Sequence, residues 1–250
     1  MDAWHEQDEW WEATAKVIFR AGAWDLAPQQ VEQALALAAM EPPVRVLDMP
    51  CGVGRHALAF ARLGCTVTAV DRTAAYLSEA RARADELGLK IEFVQADMRE
   101  FQRPEAFDLA VNLFTSFGYF EDPSEDVRVL ANFSASLRPG GALVIDLAGK
   151  EVLARDFQPR DWRELEDGTL ILEERTISQD WGWIDTRWIL VTDGERREYP
   201  LSLRLYGASD LKRALAEAGF EQIRVYGDLG GSAYDHTAKR LIAVARRPGS

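Results

Sequence analysis

Short runs of apolar residues recur along the chain, and most are followed by a stretch with the apolar spacing of a helix. Five such runs precede residue 150, at residues 44–48, 66–71, 91–97, 107–114 and 142–147. Two more, at residues 220–227 and 240–247, follow a helical stretch near the end. Apolar strands that alternate with helices are typical of a parallel sheet covered on both faces. We therefore predict an α/β fold with a doubly wound, mostly parallel seven-stranded sheet.

Two stretches depart from this alternation. Residues 1–43 look helical and contain four of the eight tryptophans. In residues 150–206, apolar and polar side chains alternate from Tyr199 to Leu205, and Asp193-Gly194 is a two-residue hairpin signal. We predict an N-terminal helical segment at 1–43, a core at 44–149, an antiparallel β insertion after strand five at 150–206, and the rest of the core at 207–250.

The stretch from Val44 to Gly64 predicts a buried strand, a tight turn and a helix. Asp48 ends the strand, Gly52 and Gly54 form the turn, and residues 57–63 give a short apolar helix. Glycines allow a backbone to approach a ligand closely, and the start of a helix offers N–H groups without partners. The stretch therefore predicts a ligand site.

Acidic residues end each of the first three predicted strands, at Asp48, Asp71 and Asp97. The carboxyl ends of parallel strands meet at one edge of a doubly wound sheet, where ligands bind. Asp71 stands where a carboxylate accepts hydrogen bonds from a ribose diol. Asp48 is placed for a cationic group and Asp97 for a base or another polar donor, so the three acids predict one elongated ligand.

Composition and charge narrow the range of partners. The formal net charge is −12 and we find no basic patch, so nucleic acid is not a predicted partner. The first ten residues lack the apolar core of a signal peptide, and no apolar run approaches membrane-spanning length. Cys51 and Cys65 give no disulfide framework, and no His/Cys cluster suggests a metal. We expect a cytoplasmic protein without a metal or a membrane partner.

Two cofactor classes fit the glycine turn. Gly52, Gly54 and Ala57 satisfy the G-x-G-x-x-A spacing of dinucleotide sites, with Asp71 seventeen residues after Gly54. A pyrophosphate would however meet a like charge at Asp48. An NAD-dependent oxidoreductase therefore remains an alternative, and a non-catalytic cofactor-binding protein is a third.

The chain resembles the class I S-adenosylmethionine-dependent methyltransferases at these residues. VLDMPCGVGRH resembles the first motif of that family, VTAVD its ribose-binding strand and VQADM its adenine-contacting strand. LDMPCGVGRH and NLFTSFGYF are similar to a bacterial small-molecule branch that includes aminosugar N-methyltransferases. The resemblance covers about residues 44–149 and 207–246, and it departs at Pro50, where the common motif has glycine.

This resemblance implies a Rossmann-like methyltransferase fold and N- or O-methylation of a small organic acceptor. S-adenosylmethionine would be the cofactor and S-adenosylhomocysteine the product. The implied cofactor site consists of twelve residues near strand ends, namely Asp48, Cys51, Gly52, Gly54, Arg55, Asp71, Arg72, Asp97, Met98, Asn112, Leu113 and Phe114. Asp48 would lie near the methionyl ammonium, Asp71 at the ribose and Asp97 at the adenine with Arg72 beside it. Residues 112–114 would lie near the sulfonium.

The acceptor side is less defined by the sequence. Orientation of the reactants can supply roughly 7–11 kcal/mol, so an in-line methyl transfer does not require a general base. Tyr119, after the fourth strand, and His236, between the last two strands, are the candidate catalytic residues on the acceptor side, and His56 and His5 rank after them. We expect the N-terminal tryptophans and the insertion to enclose the acceptor. The alternative is that they only build the core of the insertion or a homodimer interface.

Overall fold

The computed structural model describes residues 3–249, so positions 1, 2 and 250 of the two predicted end units lie outside the described residues. Seven strands of this range form the central sheet: β1 (Arg45–Asp48), β2 (Thr66–Asp71), β3 (Ile91–Gln95), β4 (Phe107–Asn112), β5 (Leu137–Leu147), β10 (Glu221–Tyr226) and β11 (Leu241–Arg246). They are arranged in the order β10-β11-β5-β4-β1-β2-β3. Pairing is parallel from β5 to β3, and β11 runs antiparallel to both β5 and β10.

Helices cover both faces of the sheet because its strands are apolar on both sides. After a 3-10 turn at Trp4–Glu6, the described helices are α1 (Asp8–Ile18), α2 (Ala21–Leu37), α3 (Arg55–Arg62), α4 (Ala74–Glu86), α5 (Pro123–Ser136), α6 (Lys150–Arg155) and α7 (Ala208–Glu217). Val46 and Val144 face the apolar cluster of α2 and α3, whereas Leu47 and Leu143 face that of α5 and α7. Within residues 3–249, none of these helices has the length and apolar character needed to cross a membrane.

A separate antiparallel sheet follows the fifth strand. It contains β6 (Arg160–Glu164), β7 (Leu170–Ser178), β8 (Trp183–Thr192) and β9 (Glu195–Arg204), paired in chain order. Asp193 and Gly194 have φ values of 53° and 81°, as a type I′ hairpin requires. The predicted α/β fold with an antiparallel insertion is thereby confirmed, although β6 was not among the predicted strands.

Cross-strand register defines an inner face of the insertion. Ile171 lies opposite Leu190 and Arg163, and Glu173 lies opposite Trp188. Ile171 and Leu190 are buried against Val17 of α1, so this face packs on the N-terminal segment. The sequence of β6 is polar at almost every position, which explains why its pattern did not predict a strand.

The end of the insertion is attached to the loop after β4. The Arg204 amide donates to the Gly118 carbonyl at 2.7 Å, and the Tyr206 hydroxyl donates to the buried Asp126 carboxylate at 2.8 Å. Gly118 has a φ of +91°, and a Cβ there would come within 2.8 Å of the Arg204 carbonyl oxygen. Only glycine therefore permits this approach of the two backbones.

We expect Gly118→Ala to lower the free energy of unfolding more than Gly140→Ala does. Gly140 has a φ of +76° and open space around it, so its substitution costs only the left-handed backbone, about 1 kcal/mol. At Gly118 the clash with Arg204 should add roughly 2 kcal/mol. Urea denaturation of both variants measures the difference, and equal losses would contradict the packing argument.

Candidate functional site

A cavity of about 340 Å³ lies at the carboxyl edge of the parallel strands. One wall is formed by the turn after β1 and by the segments that follow β2, β3 and β4. The opposite wall is formed by residues between His5 and Arg20 and by β6, β8 and β9 of the insertion. The volume is in the range of sites for small molecules.

The glycine turn forms the floor of the cavity. Asp71, 6% exposed, accepts hydrogen bonds from the Gly52 amide at 2.7 Å and the Thr73 amide at 2.9 Å. A Cβ at Gly52 would meet the ring of Phe19 at 2.8 Å, and one at Gly54 would meet Ala80 of α4 at 2.8 Å. Both glycines are therefore required by close packing, Gly52 towards the cavity and Gly54 towards α4.

Most of the predicted cofactor residues line the cavity. The lining members of that set are Cys51, Gly52, Arg55, Asp71, Arg72, Asp97, Met98, Leu113 and Phe114. The other three, Asp48, Gly54 and Asn112, are not in the wall. Asp48 and Asn112 are 1% and 0% exposed and lie in the layer behind it.

This layer and the adjoining wall contain polar atoms without partners. Among the described residues, Asp48 Oδ2, Asn112 Oδ1 and Arg55 Nη2 are buried and have no hydrogen bond. Burial, with a smaller contribution from the nearby Asp71, raises the pKa of Asp48 to about 7 against the opposing effect of Arg55. Unpaired polar groups of this kind are costly in a protein interior unless a ligand or water satisfies them.

Ion pairs bind the N-terminal segment to the far end of the cavity. Arg99 donates to both oxygens of Asp97 and to Glu6, and Arg72 donates to Asp8 and to the Glu6 carbonyl. Burial opposes ionisation of Asp97, but the bonds from Arg99 outweigh it and lower the pKa of this carboxyl. Asp97 and Arg72 are thus placed at the cavity, as predicted, but already carry protein partners.

Two guanidinium groups lie near the ring of Phe114 at the cavity wall. The Arg55 guanidinium is 4.5 Å from the centre of its ring, and that of Arg240 is 5.9 Å away. Arg240 Nε donates to the buried carboxylate of Asp146 at 2.6 Å, and the Phe114 amide donates to the other oxygen at 3.1 Å. Phe114 and Thr115 both have positive φ, so Asp146 holds the loop after β4 in an uncommon conformation.

Tyr119 lines the cavity beside His5. The two rings are stacked, with centroids 6.2 Å apart and planes at 22°, and Phe120 approaches the His5 ring edge-on at 5.1 Å. Burial lowers the pKa of His5 and raises that of Tyr119, which a hydrogen bond with Ser116 partly opposes. At neutral pH the imidazole is therefore unprotonated and the phenol is neutral.

The remaining candidates have other surroundings. His236 is exposed and is not part of the cavity wall, because Arg155 of α6 donates to its carbonyl at 2.6 Å and holds its loop away. His56 lines the cavity, but its Nε2 is hydrogen-bonded to Gln30 at 2.9 Å, and burial lowers its pKa well below the usual value. Burial raises the pKa of the Cys51 thiol, so a thiolate is not available there.

Tryptophans join the N-terminal segment to the insertion across the cavity. Trp10 stacks on Trp188 of β8 at 5.7 Å, and Trp4 donates from Nε1 to the Ser202 carbonyl at 3.1 Å. Trp10, Trp11 and Trp188 line the cavity. The two segments therefore face the same sheet edge, whereas Trp162, 68% exposed, and Trp24, packed on Arg83, lie elsewhere.

Several wall residues were not among the predicted site residues. They are Phe19, Arg20, Tyr76, Arg163, Trp188 and Arg240. The alternating pattern of β8 could have identified Trp188 as an inward-facing residue, but Arg163 lies on a strand that had no recognisable pattern. The stacking of His5 on Tyr119 joins residues more than one hundred positions apart, which local patterns do not report.

Comparison with known proteins agrees with the geometry. Residues 46–141 match the family model of a methyltransferase domain. A protein of Geobacillus sp. (strain WCH70) that bears the name of a methyltransferase is 26% identical over 216 residues, 81% of this chain and 84% of its own. The glycine/sarcosine N-methyltransferase of Aphanothece halophytica is 24% identical over 81% of this chain and 76% of its own.

A solved structure adds the cofactor. The amino pentose methyltransferase of Micromonospora echinaspora, solved with S-adenosylmethionine bound, is 26% identical and superposes with a TM-score of 0.68 over 95% of this chain and 96% of its own. The match over residues 46–141 is to a methyltransferase domain, and the fold of the chain is Rossmann-like. The protein is an S-adenosylmethionine-dependent methyltransferase, and its cofactor is S-adenosylmethionine. Within residues 3–249, no group of three His, Cys, Asp or Glu side chains could hold a metal ion.

We expect Asp48→Asn to change the pH dependence of stability. The raised pKa of Asp48 means that the folded state binds the proton more tightly than the unfolded state does. The contribution of this proton to the free energy of unfolding is complete below about pH 4 and is lost as the pH rises through about 7. The variant should therefore gain roughly 3 kcal/mol relative to the parent between pH 4.5 and pH 8. Urea denaturation across this range measures the free energy of unfolding.

Asp108→Asn is the matched control. Asp108 is also buried, 6% exposed against 1% for Asp48, and lies at the opposite edge of the sheet, but hydrogen bonds from Arg45 outweigh its burial and lower its pKa. The free energy of unfolding that Asp108→Asn loses relative to the parent should therefore be constant from pH 4.5 to pH 8. A pH-independent difference for Asp48→Asn would contradict the raised pKa.

Proposed function

We propose that the protein methylates a small organic acceptor, with the cofactor on the sheet side of the cavity and the acceptor on the side of the insertion. The observation that carries this proposal is the aromatic second wall, in which Trp10 and Trp188 close about 340 Å³ opposite the glycine turn. A volume of this size suits a small molecule.

The residues of the sheet edge fit S-adenosylmethionine. Asp71 retains lone pairs for the ribose hydroxyls after its two backbone bonds, and Gly52 brings the backbone to the cavity floor without a side chain of its own. The unpartnered Asp48 Oδ2 would face the methionyl ammonium directly or through water, and Asn112 Oδ1 is a second unsatisfied acceptor in the same layer. Asp97 and the Met98 amide would hold the adenine.

When bound, the cofactor supplies a methyl group on a positively charged sulfur, which is itself a good leaving group. The chain then has to orient the acceptor and keep water away. The aromatic wall excludes water, and the loop held by Asp146 positions Leu113 and Phe114 at the boundary between the two sides. Positioning is therefore the main contribution of the protein to the rate.

His5 and Tyr119 provide the proton chemistry in this proposal. A protonated amine must lose a proton before its nitrogen can attack, and an unprotonated imidazole can accept it. The neutral Tyr119 phenol can hydrogen-bond to the acceptor and orient its lone pair. The glycine/sarcosine and amino pentose acceptors in the names of the relatives support a nitrogen acceptor.

Two measurements test the function. Isothermal titration should show binding of S-adenosylhomocysteine and no comparable binding of NAD. Incubation with S-adenosylmethionine labelled in the methyl group and a panel of small amines and alcohols should then label at least one acceptor. Tight binding of NAD alone would overturn the proposal, and cofactor binding with no labelled acceptor would favour the non-catalytic alternative. The cytoplasmic location and the homodimer stay predictions.

Asp71→Asn should weaken the binding of S-adenosylhomocysteine about 30-fold, equivalent to about 2 kcal/mol, because it removes a charged acceptor of hydrogen bonds. Asp108→Asn, a buried aspartate at the other edge of the sheet, should leave the affinity unchanged. Titration calorimetry measures both, and equal affinities in the two variants would argue against the role of Asp71.

His5→Gln should lower kcat about 100-fold and Tyr119→Phe about 10-fold, with the affinity for S-adenosylhomocysteine unchanged. His236→Gln should retain full activity, since this side chain is exposed and outside the wall. The readout is methyl transfer to whichever acceptor the panel identifies. An equal loss in all three variants would contradict the assignment of His5 and Tyr119.

A further inference from the structure

A cluster of charged residues on the inner face of the insertion has no function in the scheme above. Arg163 of β6 lines the cavity, and one buried carboxylate, Glu173 of β7, forms ion pairs with both Arg163 and Arg175. Arg20, which precedes α2, lines the cavity from the other side. Asp161 of β6, opposite Glu173, is the second acidic residue of this face. The three guanidinium groups of Arg20, Arg163 and Arg175 therefore share two carboxylates.

Two of these arginines keep unused hydrogen-bonding capacity. Arg163 Nε is buried and has no partner, and within residues 3–249 no ion-pair or hydrogen-bond partner is found for the Arg20 side chain. Burial is the largest cause that lowers the pKa of the Arg163 guanidinium, and the positive charge of Arg20 is the second. The two groups are therefore near each other. The buried Arg163 Nε is costly to leave unpaired, whereas the Arg20 guanidinium is exposed at the cavity. An oxyanion bonds to such guanidinium groups with short, charge-assisted bonds.

The cluster also occupies the place that an acceptor would reach. Trp188 lies opposite Glu173 on the neighbouring strand, and together with Leu201 and Leu203 it lines both the main cavity and a smaller one of about 190 Å³ beneath the insertion. Glu173 and Arg175 line that smaller cavity, whereas Arg163 lines the main one. The ion cluster therefore stands where the two cavities meet, on the wall opposite the glycine turn.

We propose that Arg163 and Arg20 form an anion subsite, so that the acceptor is a small molecule with a carboxylate or phosphate group remote from the atom that is methylated. This inference rests on the proposed function, because it assigns the wall of the insertion to the acceptor. The oxyanion would accept from Arg163 Nε and from the Arg20 guanidinium, while Glu173 holds Arg163 in position.

The test uses the full chain loaded with S-adenosylhomocysteine. Sodium acetate and inorganic phosphate serve as probes, acetamide serves as a neutral probe of similar size, and the ionic strength is kept constant with sodium chloride. Titration calorimetry should detect millimolar binding of at least one oxyanion and none of acetamide. A preference for phosphate indicates a phosphorylated acceptor, and binding of acetate indicates a carboxylate.

Arg163→Gln and Arg20→Gln should each weaken oxyanion binding at least 5-fold. Arg160→Gln is the matched control, because Arg160 is on the same strand but on the outer face, paired with Glu174. Arg20 is exposed and precedes a helix, so its variant tests the subsite even if Arg163→Gln does not fold.

These measurements distinguish failure of the anion subsite from failure of the proposed function. If S-adenosylhomocysteine binds but neither oxyanion does, or if Arg20→Gln and Arg160→Gln bind the oxyanions equally, the anion subsite is wrong and the proposed function stands. If S-adenosylhomocysteine itself fails to bind the parent protein, the proposed function is wrong instead.

Discussion

The hydrogen bond from the Gly52 amide to the Asp71 carboxylate joins the turn after β1 to the end of β2 at 2.7 Å. Parallel pairing of the two strands brings these groups together, and burial of the carboxylate makes the loss of this bond costly. The bond fixes the floor of the cavity. Phe19 packs on Gly52 and edge-on against Tyr76, so the N-terminal segment takes its position from the same floor.

Much of the sheet edge could be predicted from the sequence because its signals are local. The strand that ends in Asp71 and the turn at Gly52 and Gly54 each occupy a few adjacent residues, and strand order then follows from the alternation with helices. The third strand ends at Gln95 rather than at Asp97. That carboxylate consequently lies on a loop, where Arg99 can reach both of its oxygens.

The second wall of the cavity, formed by the N-terminal segment and the insertion, could not be predicted to the same extent, because it is made by contacts between distant segments. Trp10 meets Trp188, and His5 meets Tyr119, only after the insertion folds back over the sheet edge. The strand with Arg163 is polar at nearly every position and short, so its hydrogen bonds to β7 define it rather than an apolar pattern. His236, predicted from its place between the last two strands, is instead held near α6.

The contact between Trp4 and Ser202 spans 198 positions of the chain, which has a consequence for biosynthesis. A ribosome adds about 5–20 residues per second, so the N-terminal segment with Trp4 leaves the exit tunnel roughly 10–40 s before the strand with Ser202 does. During that interval its tryptophans have no insertion to cover them, while Asp8, Glu9 and Glu12 give the emerging segment negative charge that opposes association. Closure of the second wall is therefore among the last steps in the maturation of the nascent enzyme.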